Sequence, residues 1–166
     1  TTLAAHAASQ MRAALIDKDA LEWPLARAAL NAAGAAKDDA YYNFTVKPAA
    51  YETCFRVAEQ NCRSGLDCVL VAPFTAHVRD AGFLATLSQR FEAKVALLWV
   101  VADPDVLRAR QLKRGADQDT AILLALPQQP ACPCVTVDTS FADEADLAKI
   151  TRAALEEAFA KTRRAR

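Results

Sequence analysis

Short runs of apolar residues alternate along the chain with longer segments in which apolar positions recur at helical spacing. The runs are continuously apolar rather than alternating, which is typical of strands covered on both faces. The longer segments predict helices, and a helix is the usual connection between parallel strands. The pattern therefore predicts an α/β fold built on a parallel sheet. The predicted strands are residues 13–16, 68–74, 95–101 and 135–138.

Residues that commonly begin or end helices mark the boundaries of the helical segments. Gly34 and Gly65 each follow an apolar-periodic segment, where glycine often ends a helix. Pro104 stands where the first turn of a helix is expected. The polar, aromatic-bearing segment 37–48 predicts a loop. The predicted helices are residues 2–11, 21–33, 49–63, 78–91, 103–113 and 143–161.

Composition and charge narrow the class of protein. With 166 residues, 53% of them apolar and 24% charged, the chain predicts a single globular domain. A net charge of zero disfavours a nucleic-acid partner, and no apolar run reaches the roughly 20 residues that span a bilayer. Five cysteines without a regular framework indicate free thiols in a reducing compartment. We therefore expect a cytoplasmic protein without a membrane partner, and the sequence leaves a homodimer open.

Polar residues follow three of the predicted strands. Asp17 and Asp19 come after the first strand, the turn 72–75 lies at the end of the second, and Thr139 and Ser140 follow the last. In open α/β sheets, ligands bind at the carboxyl ends of the strands. These residues therefore form the candidate site.

The order of these features resembles that of the P-loop small-molecule kinases. The segments that carry the resemblance are TTLA, LIDKD, an apolar strand with a PF turn, DPDVLRAR, QLKRG and VTVDTS. They are most similar to the group that contains polynucleotide kinase, chloramphenicol phosphotransferase and gluconate kinase, and they cover nearly the whole chain. The resemblance implies a three-layer P-loop NTPase fold over residues 1–166, with a lid over residues 105–131. It also implies transfer of the γ-phosphate of ATP, with Mg²⁺, to a hydroxyl of a small molecule.

The opening threonines match the end of the P-loop pattern G-x-x-x-x-G-K-[ST]. The resemblance implies that the Thr1 hydroxyl binds Mg²⁺ and the nucleotide phosphates, with Thr2 as a second hydroxyl at the same helix start. The glycines and lysine of the pattern would precede Thr1, and the four glycines of the chain cannot rebuild it elsewhere. A parallel sheet also rarely begins with a helix. We therefore expect the natural protein to carry a strand and a phosphate-binding loop ahead of Thr1.

The carboxylates of the DKD segment are the candidate bases. By the resemblance, Asp19 accepts the proton of the attacking hydroxyl. Asp17 is an alternative base or a partner of magnesium-bound water. A structural alternative is that the segment caps the following helix, with Asp19 at the N-cap. Lys18 is expected to face solvent.

The basic segment RARQLKRG matches the lid arginines of these kinases. The resemblance implies that Arg110, Lys113 and Arg114 bind the phosphates of ATP. Arg110 and Arg114 are favoured as catalytic residues because they are four apart on a helix, whereas Arg108 diverges from Arg110. The alternative is an ordinary basic helix end. Thr139 resembles the turn beside the adenine.

The acceptor is expected to bind after the DKD strand and near the PF turn. Tyr42 belongs to an aromatic segment that could stack on a ring or sugar, and Arg79 lies where related kinases place an arginine over the acceptor. Trp23 is expected in the core. Asp17 is a further acceptor contact in this interpretation.

Ala72 departs from the family pattern, because relatives frequently carry an acidic residue there. This departure supports an alternative function, a P-loop module that binds nucleotide without productive transfer. A nucleic-acid 5′-hydroxyl kinase is a further alternative, which the zero net charge disfavours.

Overall fold

A computed structural model of the protein describes residues 2–36, 40–113 and 129–164. The chain forms two compact units. The first contains the chain up to Pro73 together with Gln89–Ala93, and the second contains Phe74–Ser88 and the chain from Lys94 onward.

The first unit contains two parallel strands and the helices that connect them. Strands β1 and β2 pair in parallel from Ala14 opposite Cys68 to Asp17 opposite Val71. Its elements are α1 (Thr2–Met11), β1 (Ala14–Asp17), α2 (Lys18–Ala33), a π-helix (Tyr42–Val46), α3 (Lys47–Arg63) and β2 (Cys68–Val71). Burial of apolar side chains is the main force that holds these layers together. The buried apolar residues include Leu3, Ile16, Ala26, Leu30, Tyr51, Phe55, Ala58 and Phe91.

Helix α2 begins three residues earlier than predicted, because a carboxylate caps its first turn. Asp17 is the N-cap, and its side chain accepts a hydrogen bond from the backbone N–H of Asp19. The helix ends at Gly34, as the glycine in the sequence predicted, and the φ of 61° at Gly34 is in the left-handed region. Pro24 lies inside the helix, where it removes one backbone donor.

The prediction of a loop over residues 37–48 was wrong for the residues that the structure describes. Residues 40 and 41 are helical, and a π-helix over Tyr42–Val46 continues directly into α3. Pro48 lies in the first turn of α3. Residues 37–39 of the predicted loop lie outside the described residues.

The second unit repeats the arrangement with a different pair of strands. Strands β3 (Leu98–Val101) and β4 (Val135–Asp138) pair in parallel, from Leu98 opposite Val135 to Val101 opposite Asp138. The other elements are a 3₁₀ turn (His77–Arg79), most of α4 (Phe83–Phe91), α5 (Pro104–Lys113) and α6 (Glu144–Arg164). Predicted helix 78–91 is divided, because the Asp80 carboxylate accepts the N–H of Gly82 at 2.8 Å and forms a turn before α4.

Both strand pairs are parallel and connected through helices, which confirms the predicted α/β fold class. The strands are shorter than two of the apolar runs. Strand β2 ends at Val71 because Pro73 has no N–H to donate and Phe74 has a left-handed φ of 50°. All five cysteines lie in the described part of the chain, and none forms a disulfide. No helix in that part is both long and apolar enough to cross a membrane.

Candidate functional site

The start of α2 places two carboxylates at the carboxyl end of β1. Asp17 Oδ1 accepts the N–H of Asp19 at 3.0 Å, so Asp17 is the N-cap residue and the proposed capping role of Asp19 was wrong. The Asp19 side chain is 80% exposed and stands in the first turn of the helix, where the helix dipole favours a negative charge.

Lys18 is buried, so the expectation that it faces solvent was wrong. Only 4% of its surface is exposed. Its Nζ lies 2.8 Å from Asp19 Oδ1, contacts Glu22 Oε2, and stands 5.6 Å from the centre of the Tyr51 ring on α3. Burial alone lowers the pKa of Lys18, but the hydrogen bonds and charges of the two carboxylates outweigh burial and raise it above its ordinary value. Lys18 is therefore a charged ammonium held between two carboxylates.

Glu22 is buried as well, with 6% of its surface exposed. Its Oε2 accepts a hydrogen bond from Lys18, whereas Oε1 is buried and has no hydrogen-bond partner among the described residues. Burial and the neighbouring Glu22 carboxylate raise the pKa of Tyr42 to about 12. The Tyr42 hydroxyl therefore keeps its proton at neutral pH.

A cavity of about 170 Å³ opens beside this group of charges. It is lined by Asp19, Glu22, Trp23 and Tyr42. Trp23 is 44% exposed and lines the cavity, so its predicted place in the core was wrong. Tyr42, predicted to contact the acceptor, does lie at the cavity that also contains the predicted base.

In the second unit, Arg110 and Thr139 meet at the carboxyl ends of β3 and β4. The guanidinium of Arg110 donates to Thr139 Oγ1 at 3.1 Å and to the Thr139 carbonyl at 2.7 Å. Thr139 is fixed in turn, because its Oγ1 and its backbone N–H both donate to the carbonyl of Val101. Two residues that the sequence singled out separately are thus in direct contact.

A second set of hydrogen bonds fixes the turn that follows β4. Ser140 Oγ donates to Asp138 Oδ1 at 2.6 Å and accepts the backbone N–H of Asp103 at 2.7 Å. The hydrogen bonds from Ser140 hold the pKa of Asp138 below its ordinary value. The turn beside Arg110 is therefore held by side chains as well as by the strands.

The remaining predicted site residues are not brought together by any contact that the structure describes. Arg108 and Lys113 are exposed on α5, and Arg79 is exposed at the 3₁₀ turn. Thr2 is exposed at the start of α1, and Ala72 is half-buried after β2. Thr1, Arg114 and the lid residues 114–128 lie outside the described residues.

Sequence reasoning missed the two buried charges, Lys18 and Glu22. Their spacing of four residues is a recognisable signal for an ion pair along one helix face. The same spacing occurs in exposed pairs, such as Glu157 with Lys161, so it does not predict burial. Burial depends on α3, whose Tyr51 covers the ammonium.

Comparison with known proteins identifies the family. The model of the AAA domain family AAA_33 matches residues 1–129, and the chain belongs to this family. It is a P-loop kinase-like protein with the α/β P-loop fold. The chain is similar in structure to a "putative kinase" from Chloroflexus aurantiacus J-10-fl, with a TM-score of 0.62 and 22% sequence identity over 95% of this chain and 89% of that one. No curated protein sequence matches the chain.

Proposed function

We propose that the protein is a kinase that transfers the γ-phosphate of ATP to a hydroxyl of a small molecule. The observation that carries the proposal is the placement of Asp19. Its exposed carboxylate stands at the carboxyl end of β1, at the edge of a cavity, and is held at 2.8 Å by a buried ammonium. A carboxylate fixed in this way can accept a proton from a hydroxyl that binds in the cavity.

The proposed step is an in-line displacement at phosphorus. The acceptor oxygen forms a bond to the γ-phosphorus, and the bond from that phosphorus to the bridging oxygen of ADP breaks. The proton of the acceptor hydroxyl passes to the Asp19 carboxylate. Lys18 acts as a positioning residue, since it contacts Asp19 while Glu22 holds it in place.

Arg110 is the proposed phosphate ligand in the second unit. Its guanidinium is pre-organised by Thr139, so its donors that do not contact Thr139 can meet phosphate oxygens without a large loss of side-chain entropy. Lys113, Arg114 and Thr2 remain predicted phosphate contacts, Thr139 remains a predicted contact of the nucleotide, and Arg79 remains a predicted contact of the acceptor.

Magnesium is proposed to bind together with the nucleotide. Kinases usually hold Mg²⁺ through substrate phosphates and one or two side chains, where it neutralises phosphate charge. Within residues 2–36, 40–113 and 129–164, no group of three or more His, Cys, Asp or Glu side chains could hold a metal ion. Thr1 is the proposed side-chain ligand, whereas Asp17, the alternative partner of magnesium-bound water, is assigned to the cap of α2.

Substitution of Asp19 tests the proposal, with Asp105 as a matched control. Each is the second residue of its helix, and each donates its N–H to an aspartate two residues earlier. With Mg·ATP and a panel of small alcohols, D19A should lower kcat on the order of 10²–10⁴-fold with little change in ATP affinity, and D105A should retain activity.

Normal turnover of D19A would show that another group is the base. ATP binding without a phosphorylated product across the panel would instead support the alternative function, a nucleotide-binding module, which Ala72 favours.

A further inference from the structure

The described residues around the cavity beside Asp19 carry an uncompensated negative charge. The carboxylates of Asp19 and Glu22 line it, and Lys18 contacts both of them from a buried position. One ammonium and two carboxylates leave one net negative charge. None of the described residues that line the cavity is basic.

Glu22 also has an unused hydrogen-bond acceptor. Its Oε1 is buried and has no hydrogen-bond donor within the described ranges. Only 6% of the surface of Glu22 is exposed, so the residue is 94% buried. A buried acceptor without a donor is costly, because its hydration is lost and nothing replaces it. Glu22 lines the cavity, so a ligand that brings an N–H donor to its carboxylate would remove this cost.

Two aromatic side chains complete the lining. Trp23 and Tyr42 line the cavity together with the two carboxylates. Aromatic faces beside carboxylates attract organic cations, since the ring quadrupole and the carboxylate charge act in the same direction. The volume of about 170 Å³ is smaller than that of sites for drug-sized ligands, so the cavity suits an amino group and a few carbon atoms rather than a nucleoside.

We propose that the acceptor of the kinase is an amino alcohol, bound through its ammonium group in this cavity. The ammonium donates a hydrogen bond to Glu22 Oε1 and lies against Trp23 and Tyr42. The hydroxyl of the same molecule is presented to Asp19. This inference rests on the proposed function for the transfer step, but the binding of the ammonium group stands separately.

The proposal excludes anionic acceptors from the cavity. A sugar acid or a phosphorylated acceptor would place a negative charge beside Asp19 and Glu22, where Lys18 is already occupied by both carboxylates. Glu22 is thus the residue that determines which acceptor binds, and it discriminates between acceptors by their charge.

A fluorescence titration without ATP tests the proposal. The chain has two tryptophans, Trp23 and Trp99, so the W99F variant leaves Trp23 as the single reporter beside the cavity. The probes are 2-aminoethanol, ethylene glycol and glycolate at neutral pH, which are similar in size and differ in charge. We expect 2-aminoethanol to bind at least 10-fold more tightly than ethylene glycol, and glycolate to bind more weakly than either. Equal affinities, or no saturable binding of 2-aminoethanol up to about 100 mM, would overturn the proposal.

A charge-removing variant assigns the effect to Glu22. E22Q should lower the affinity for 2-aminoethanol at least 10-fold and leave that for ethylene glycol within 2-fold. The control is E157Q, which makes the same change in an exposed Lys–Glu pair and should alter neither affinity. Unchanged binding by folded E22Q would refute the assignment; if E22Q does not fold, the three probes on the W99F protein still decide. The titration contains no ATP, so it tests binding of the ammonium group separately from phosphotransfer. If 2-aminoethanol binds but no phosphate is transferred when Mg·ATP is added, the proposed function alone is refuted. If uncharged alcohols are phosphorylated in preference to amino alcohols, this inference alone is refuted.

Discussion

The starts of α2 and α5 have nearly the same carboxylate geometry and different surroundings. In each, an aspartate side chain accepts the backbone N–H of an aspartate two residues later, at 3.0 Å from Asp19 to Asp17 and at 2.8 Å from Asp105 to Asp103. Each second aspartate lies in the first turn of its helix. The repeated Asp-x-Asp pattern is therefore a way to begin a helix and does not by itself indicate chemistry.

The residue between the aspartates distinguishes the two helix starts. In α2 it is Lys18, which is buried and paired with Glu22 one turn later. In α5 it is Pro104, and the residue four positions later, Arg108, is exposed. Only the first start combines a fixed carboxylate with buried charges and a cavity, so the comparison assigns capping to Asp17 and leaves Asp19 as the candidate base.

Removal of the buried ammonium should have the largest effect on stability. K18M leaves Glu22 as a buried carboxylate without its cation, and such a change costs about 3–5 kcal/mol. The control K161M removes the cation of the exposed Glu157–Lys161 pair and should cost no more than about 0.5 kcal/mol. Urea unfolding followed by circular dichroism measures both. Equal losses in the two variants would show that burial does not distinguish these pairs.

Removal of either capping carboxylate should have a smaller and matched effect. D17A and D103A each lose one hydrogen bond from a first-turn N–H, and each should be destabilised by about 1 kcal/mol. Because we assign Asp17 a capping role, D17A should keep kcat within a few-fold of the value for D103A. A selective loss of about 100-fold or more in D17A would make Asp17 the base, as one of the sequence-based alternatives proposed.

The exposed ion pairs of α3 should contribute least. Hydrogen bonds from Arg90 and then Arg56 lower the pKa of Glu52 from 4.5 to about 2. The pKa is lower in the folded protein, so the contribution of Glu52 to stability is present above pH 4.5 and is lost as the pH falls towards 2. The Glu52 side chain is 47% exposed, so solvent screening limits this contribution to less than about 1 kcal/mol.

Unfolding measured against pH checks the effect of Glu52. The difference in stability between the protein and E52Q should shrink between pH 4.5 and 2, and added salt should reduce it at neutral pH. A difference that grows as the pH falls would contradict this account.

The sequence predicted those features that depend on local pattern. Helix α1 and strand β4 begin and end at the predicted residues. Asp19 and Thr139 were also singled out, since parallel strands bring their carboxyl ends to the edge where ligands bind. Arg110 was singled out separately, by the resemblance to the P-loop kinases, and its contact with Thr139 was not predicted.

Features that depend on contacts between elements could not be predicted. The burial of Lys18 depends on Tyr51, which lies 33 residues further along the chain. The π-helix over Tyr42–Val46 has no sequence periodicity that distinguishes it from a polar loop. Trp23 is a large apolar residue of the kind expected in a core, and its position at the cavity depends on how α2 packs.

Detection of the transferred phosphate by ³¹P NMR tests the central claim most directly. The protein is incubated with Mg·ATP and a panel of amino alcohols and uncharged alcohols, beside the D19N variant. The account predicts a new phosphomonoester signal that grows in equal amount with ADP and forms at least about 100-fold more slowly with D19N. Inorganic phosphate and ADP without a phosphomonoester, or equal rates for the protein and D19N, would contradict it.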